Sequence, residues 1–299
     1  MEALQKQHLL LGASCIIGAE LMFASMGVSI RFVAAELPNA IIVFFRNIIG
    51  LAILAPWLLT HGPGSLRTTV PLLHLVRGLA GLSAMYCFFY ALAHMPLAEA
   101  MLLKLSSPLF IPLVALIWLG EAVPGRVWWA IAIGFAGVTL ILRPGVDSIS
   151  PVALIALLGG LFAAIAKVTV RRLSRTEPPV RTVFYFALTG TLVAALPAVW
   201  FWQPPSAEAM AWLAAIAGFA TLGQLLLTHG FSMAPAARMG SFGYFSVVFG
   251  ALYGWLFWRE TLNWGTITGS ILVFAAGYLA SRSKQRPVSS PVSSRPTTG

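Results

Sequence analysis

Residues 20–50, ELMFASMGVSIRFVAAELPNAIIVFFRNIIG, return in outline at residues 160–190, GLFAAIAKVTVRRLSRTEPPVRTVFYFALTG. With a displacement of 140, Leu21 matches Leu161, Ala24 matches Ala164, Arg31 matches Arg171, Pro38 matches Pro178, Phe44 matches Phe184 and Gly50 matches Gly190. Further along, a displacement of 139 pairs Pro96 with Pro235, Ser107 with Ser246 and Glu121 with Glu260. One register with a single-residue slip runs through most of the chain, so it reads as two related halves.

The solvent of those halves follows from composition. Of 299 residues, 59% are hydrophobic and 9% charged, with a mean hydropathy of +0.86, where a soluble domain carries roughly 25% charged residues. Lipid must replace water over most of the surface. Cut at clusters of Pro, Gly and charge, the chain yields ten spans, at 9–34, 39–60, 70–94, 97–119, 126–142, 151–171, 180–200, 209–230, 235–257 and 264–281. The first exceeds a signal-peptide core of about 7 to 15 residues and reads as an uncleaved span. Connectors as short as His94-Met95-Pro96 and Met233-Ala234-Pro235 force antiparallel neighbours. Five spans per half is an odd number, so the second half enters the membrane upside down. The expected fold is all-α and integral to the membrane, ten transmembrane helices as two inverted five-helix repeats, 8–142 and 151–282, followed by a disordered cytoplasmic tail, 283–299, rich in Ser, Pro and Thr.

The 19 Lys and Arg against 9 Asp and Glu lie mainly in short loops and in the tail, a topological pattern and not a nucleic-acid surface. With the N-terminus inside, cytoplasmic segments hold Lys6, Arg67, Arg126, Arg171, Arg172, Arg175, Arg181, Arg282, Lys284, Arg286 and Arg295, against Arg31, Arg143 and Arg259 outside. That bias places both termini in the cytoplasm of a bacterial cell with the chain in its inner membrane. Cys15 and Cys87 fall within apolar runs and read as small hydrophobes.

No G-x-x-x-x-G-K-[ST] loop occurs and none of the four lysines follows a glycine, so any transport must draw on a gradient. The single Asp, Asp147, lies in a loop, and no G-x-S-x-G or paired histidines occur, which excludes the common membrane-enzyme patterns and predicts no cofactor and no metal site.

Polar groups at membrane depth are costly unless they face a cavity or a partner. Glu20 lies near the middle of the first span; it either carries a coupling proton or closes a structural ion pair with Lys104 or Arg46. Lys104 precedes Pro108 and Pro112, which break the fourth helix, free carbonyls and leave a cation and two hydroxyls either lining a site for an anionic group or marking a packing kink. Arg46 and Asn47 either join that site or lock one helix to the next, and Arg77, at the cytoplasmic end of the third span, either snorkels to the interface or joins the site. Tyr86 and Tyr90 share a helical face. Gln224, His229 and Tyr244 occupy matching spans of the second half, where Tyr90 corresponds to His229 and Lys104 to Gly243. Polar groups in both halves suit a substrate cavity at the repeat interface. Gly250/Gly254, Gly265/Gly269, Gly159/Ala163 and Gly160/Ala164 read as packing surfaces.

Pro96-Leu97-Ala98-Glu99-Ala100, Leu119-Gly120-Glu121 closing the fourth span, Arg143-Pro144-Gly145 after the fifth, and their echo at Pro235 and Glu260 resemble the EamA-type branch of the drug/metabolite transporter superfamily, over about residues 8 to 282. The second repeat departs in Trp258-Arg259-Glu260, where the family usually has a glycine before the acid. The resemblance implies a central cavity and secondary export of amino acids or amino-acid-derived metabolites such as opine-type metallophores, by a monomer or homodimer, with protons as a possible coupling ion. The alternatives are import of a vitamin or nucleoside-like solute such as riboflavin or S-adenosylmethionine, and a non-transporting subunit or passive pore.

Overall fold

The computed structural model describes residues 2–104, 106–119, 125–142, 150–233, 241–260 and 264–281. The tail 283–299 and the start of the ninth span lie outside the described residues. Eleven α-helices build the described chain: α1 (Glu2–Val33), α2 (Asn39–His61), α3 (Pro71–His94), α4 (Leu97–Lys104), α5 (Ser107–Leu119), α6 (Gly125–Leu142), α7 (Pro151–Leu173), α8 (Pro179–Trp200), α9 (Ala207–Met233), α10 (Phe245–Trp258) and α11 (Trp264–Ser281). Among the described residues there are no strands. Proline at the first position starts α3, α7 and α8, where its missing N–H has no helical partner to lose and its fixed φ is already helical. Gly62 ends α2 at φ 72°. Helices α1, α2, α3, α7, α8 and α9 are each long and apolar enough to cross a membrane, and the fold is that of an integral membrane protein of two inverted five-helix repeats.

The broken fourth span is present: α4 stops at Lys104 and α5 starts at Ser107, with the Leu109 and Phe110 N–H groups both donating to the Ser106 carbonyl. In the second half the corresponding span carries a 3-10 turn at Ser241–Tyr244 directly ahead of α10.

Helix packing obeys the repeat. α1 lies along α9 and α3 along α7, and each pairing becomes the other when the halves are exchanged. α2 with α8, α4 with α10 and α6 with α11 pack across the same pseudo-two-fold axis. The core therefore sits between the halves, with Ile16, Phe23 and Ile30 of α1 buried beside Ile216, Leu227 and Phe231 of α9.

Two polar clusters close opposite ends of the bundle. At one, Arg31 of α1 pairs with Glu260 beyond α10, its guanidinium 4.3 Å from the Trp258 ring centroid, and the Leu97 N–H at the start of α4 donates to the other Glu260 oxygen at 3.1 Å. At the other, Glu177 between α7 and α8 accepts from Arg181 at 2.7 Å and Thr68 at 2.8 Å. Burial pushes the Glu177 carboxyl up, but the hydrogen bonds from Arg181 and Thr68 and the Arg181 charge outweigh it and hold the group below its usual value.

Candidate functional site

A cavity with roughly 900 Å³ of atom-free space, counting its mouth, lies on the interface between the halves. Its walls come in symmetry-related positions. Phe23 and Ala163, Met26 and Ala166, and Arg46 and Phe186 are separated by 140 residues, and Met85 and Gln224, and Phe88 and Leu227, by 139. A chamber lined by equivalent residues of both halves is what inverted repeats form where they meet.

Charge breaks that symmetry. Four cations line the cavity: Arg46 of α2, Arg77 of α3, Lys104 of α4 and Lys167 of α7. Arg46 and Arg77 are 4% and 3% exposed. Both guanidiniums lie over the Phe186 ring, 4.9 and 4.0 Å from its centroid. Their partners are neutral amides: Arg46 donates to Asn47 Oδ1 at 2.7 Å and Arg77 to Gln224 Oε1 at 2.8 Å. The Nε of each, and Nη1 of Arg77, are buried with no partner. Among the described residues, one carboxylate, Glu20, pairs with a cavity cation. Lys104 Nζ donates to Glu20 Oε2 at 2.7 Å and lies 4.7 and 5.6 Å from the Phe23 and Phe88 ring centroids, while Lys167 donates to Ser107 Oγ at 3.1 Å.

The structure sorts the sequence expectations by helical face. Lys104, Arg46 and Gln224 line the cavity, and Glu20, 3% exposed, reaches it through Lys104 in the ion pair named as its structural alternative. Asn47 stands behind Arg46 rather than in the wall: it donates to the Val43 carbonyl at 2.7 Å and fills the space that a Cβ at Gly190 would need, 2.5 Å from its Oδ1. It thereby joins α2 to α8 and orients Arg46. Tyr86 and Tyr90 do share a face, but not the cavity's: α3 turns Arg77, Gly81, Met85 and Phe88 inward, leaving the Tyr86 hydroxyl buried without a partner and Tyr90 stacked on His94 at 4.1 Å. His229 is exposed on α9 and, like its repeat partner Tyr90, is not part of the cavity lining. Tyr244 ends the 3-10 turn; its side chain lies outside the described residues.

One cavity cation, Lys167, is not singled out by the sequence, and another, Arg77, reads there as snorkelling ahead of its place as a site candidate. Arg77 does not snorkel; it turns inward because Gln224 supplies an acceptor and Phe186 a ring face. Lys167 stands one turn before Arg171 and is masked in the sequence by the basic end of its span, yet a lysine within Ala166-Lys167-Val168 is itself a charge at membrane depth. Among the described residues no cluster of His, Cys, Asp and Glu is arranged to hold a metal ion.

This architecture has known relatives. A solved crystal structure superposes with a TM-score of 0.66 at 21% identity, over 92% of this chain and 96% of its own, a likeness of fold. The pseudopaline exporter CntI of Pseudomonas aeruginosa strain UCBPP-PA14 is 37% identical over 92% of this chain and 97% of its own. A riboflavin transporter of Vibrio cholerae is 30% identical over 84% and 86%, and an S-adenosylmethionine uptake transporter of Rickettsia felis is 24% identical over 87% and 88%. The EamA-like transporter family matches residues 10–143 and again 150–282, one match for each half, and the chain belongs to that family.

Proposed function

We propose that the chain is a gradient-driven exporter of an amino-acid-derived metabolite that carries carboxylates, of the opine metallophore type, across the bacterial inner membrane with both termini in the cytoplasm. The observation that carries this is the pair Arg46 and Arg77: permanently charged, buried, and held by neutral amides in a cavity between two inverted halves. An anionic cargo supplies what they lack. Similarity to a pseudopaline exporter supports outward transport of such a molecule. The relative named as an S-adenosylmethionine uptake transporter supports import as the second reading, but a sulfonium cation is a poor match for a chamber in which, among the described residues, four cations face one carboxylate.

The test is efflux from proteoliposomes preloaded with N-carboxyalkyl amino acids, riboflavin or S-adenosylmethionine, with and without a pH gradient. Saturable efflux of the carboxylated solutes alone is expected. Saturable transport of riboflavin alone would overturn the reading, unsaturable flux of every solute would identify a pore, and no flux a non-transporting subunit. Glu20 is the proposed coupling group should the pH gradient accelerate efflux: Glu20→Gln then removes the acceleration at unchanged yield of folded protein, and a variant that keeps it takes Glu20 out of that role.

A further inference from the structure

We infer that the cavity selects a cargo with two anionic groups, one seated between Arg46 and Arg77 and the other exchanged for Glu20 on Lys104; this rests on the export reading above. The two poles differ in what they already hold. Among the described residues no carboxylate pairs with either arginine. A guanidinium cannot give up its proton in a protein, and an unneutralised ion in a lipid-embedded interior costs several kcal/mol. Two of them beside one ring, with three buried N–H positions without a partner among the described residues, form a seat suited to an anion. Carboxylate geometry matches it, because its two oxygens accept parallel N–H bonds from a planar fork.

The lysine pole shows which group it takes, since a carboxylate is already there. Glu20 Oε2 lies 2.7 Å from Lys104 Nζ, and the ammonium is flanked by Phe23 and Phe88, both of the cavity wall. Glu20 is thus a resident stand-in for a cargo carboxylate. Lys167 lies near enough to interact with both Glu20 and Lys104, so a cation remains beside Glu20 after the exchange. The rest of the wall is mostly apolar, Met26, Met85 and Leu227 among it. A cargo with an anion at each end and an apolar middle fills every part of the chamber, whereas a monocarboxylate engages the arginine pole and leaves Glu20 where it is.

The full-length protein in lipid nanodiscs, titrated calorimetrically with butyrate, glutarate, adipate and the neutral glutaramide, tests this. The dicarboxylates are expected to bind about tenfold or more tightly than butyrate, roughly the effect of one further charge-assisted pair, and glutaramide not to bind. Arg77→Gln and Lys104→Gln each bring the dicarboxylates down towards the butyrate level. Glu20→Gln vacates the second pole, so butyrate stoichiometry rises from one to two while dicarboxylate affinity rises several-fold. Should that variant fail to fold, Glu20→Asp, which draws the carboxylate back by one methylene, gives the dicarboxylate gain in smaller measure. Equal affinity for butyrate and the dicarboxylates, or unchanged stoichiometry and affinity in a folded Glu20 variant, overturns the inference. Efflux of carboxylated amino acids without dicarboxylate preference would overturn the two-pole site and leave export standing; dicarboxylate binding without any efflux would overturn export instead.

Discussion

Arg77 owes its inward course to the residue one turn further along α3. A Cβ at Gly81 would run into the Arg77 guanidinium and come within 2.8 Å of the Phe186 ring, so only glycine leaves the charge room to lie over that ring. Gly81→Val is expected to push the guanidinium out of the cavity and weaken glutarate binding by roughly tenfold with every charge retained, the equivalent of about one charge-assisted hydrogen bond; calorimetry on the folded variant reads it directly, and wild-type affinity would show that Arg77 holds its place without the gap. Arg259 is the converse case. It adopts φ 55° while the Arg259 and Glu260 N–H groups bond back to the carbonyls of Trp255 and Gly254, a helix C-terminal turn that favours glycine, and glycine is what the family usually places before this acid. Arg259→Gly should therefore stabilise the protein by up to roughly 1 kcal/mol, seen as a higher melting temperature, and a lower one would show that the arginine side chain outweighs the strain. Lys104, Arg46, Gln224 and Glu20 were legible in the sequence because polar groups stand out against an apolar run. Tyr86, Tyr90 and His229, which lie off the cavity lining, could not be told from them for a matching reason: lipid and protein interior are both apolar, so the pattern along a span does not say which face turns inward.

Among the elements, the interrupted fourth span was legible from Pro108, whereas Pro112 is accommodated inside α5, and the break does two things for the site. It ends α4 at Lys104, putting a cation at a helix C-terminus where the carbonyl dipoles favour it, and it turns the Ser107 hydroxyl towards Lys167. The tie made by Glu260 was not legible, because it joins residues 31, 97 and 260 through space. By holding the end of α1, the start of α4 and the end of α10 together, it shuts one end of the chamber. Glu260→Gln is expected to loosen that end, raising the labelling rate of a cysteine placed at Met101 by a membrane-impermeant maleimide severalfold in a background lacking Cys15 and Cys87; an unchanged rate would leave Glu260 as a cap on α4 only. The Glu177 cluster joins the α2–α3 and α7–α8 connections at the opposite end. Because the folded protein holds the Glu177 carboxyl below its usual value, the group contributes stability above the ordinary glutamate pKa of roughly 4.3, and that contribution fades as pH falls through the folded value. Glu177→Gln should lower the melting temperature at pH 7 and differ less from wild type as pH is brought towards 4; a difference that is constant with pH would assign the effect to packing.

Across the whole molecule, shape follows the repeat and charge does not. Arg46 corresponds to Phe186, Lys104 to Gly243 and Lys167 to Gly27, so a chamber with two-fold walls carries a one-sided set of cations. The symmetric part, two halves and paired helices, was readable as matched residues at a constant displacement, whereas the walls were not, since they depend on how ten helices rotate about their axes. The asymmetric part bears on energetics. A chamber that carries a dianion from a negatively charged interior to the outside moves charge down the membrane potential, about 2.3 kcal/mol per charge per 100 mV, or nearly two decades of concentration for each charge. Such an exporter needs no ATP and no second ion to work uphill. In proteoliposomes loaded with the exported solute, an inside-negative potassium diffusion potential set with valinomycin should accelerate efflux and an inside-positive one slow it, the difference growing with the number of carboxylates on the solute. Efflux accelerated by an inward proton gradient as well as by the potential would mean that the anion leaves in exchange for protons, which moves charge in the same direction and makes Glu20 the coupling group, whereas efflux indifferent to potential would overturn transport of the cargo as an anion.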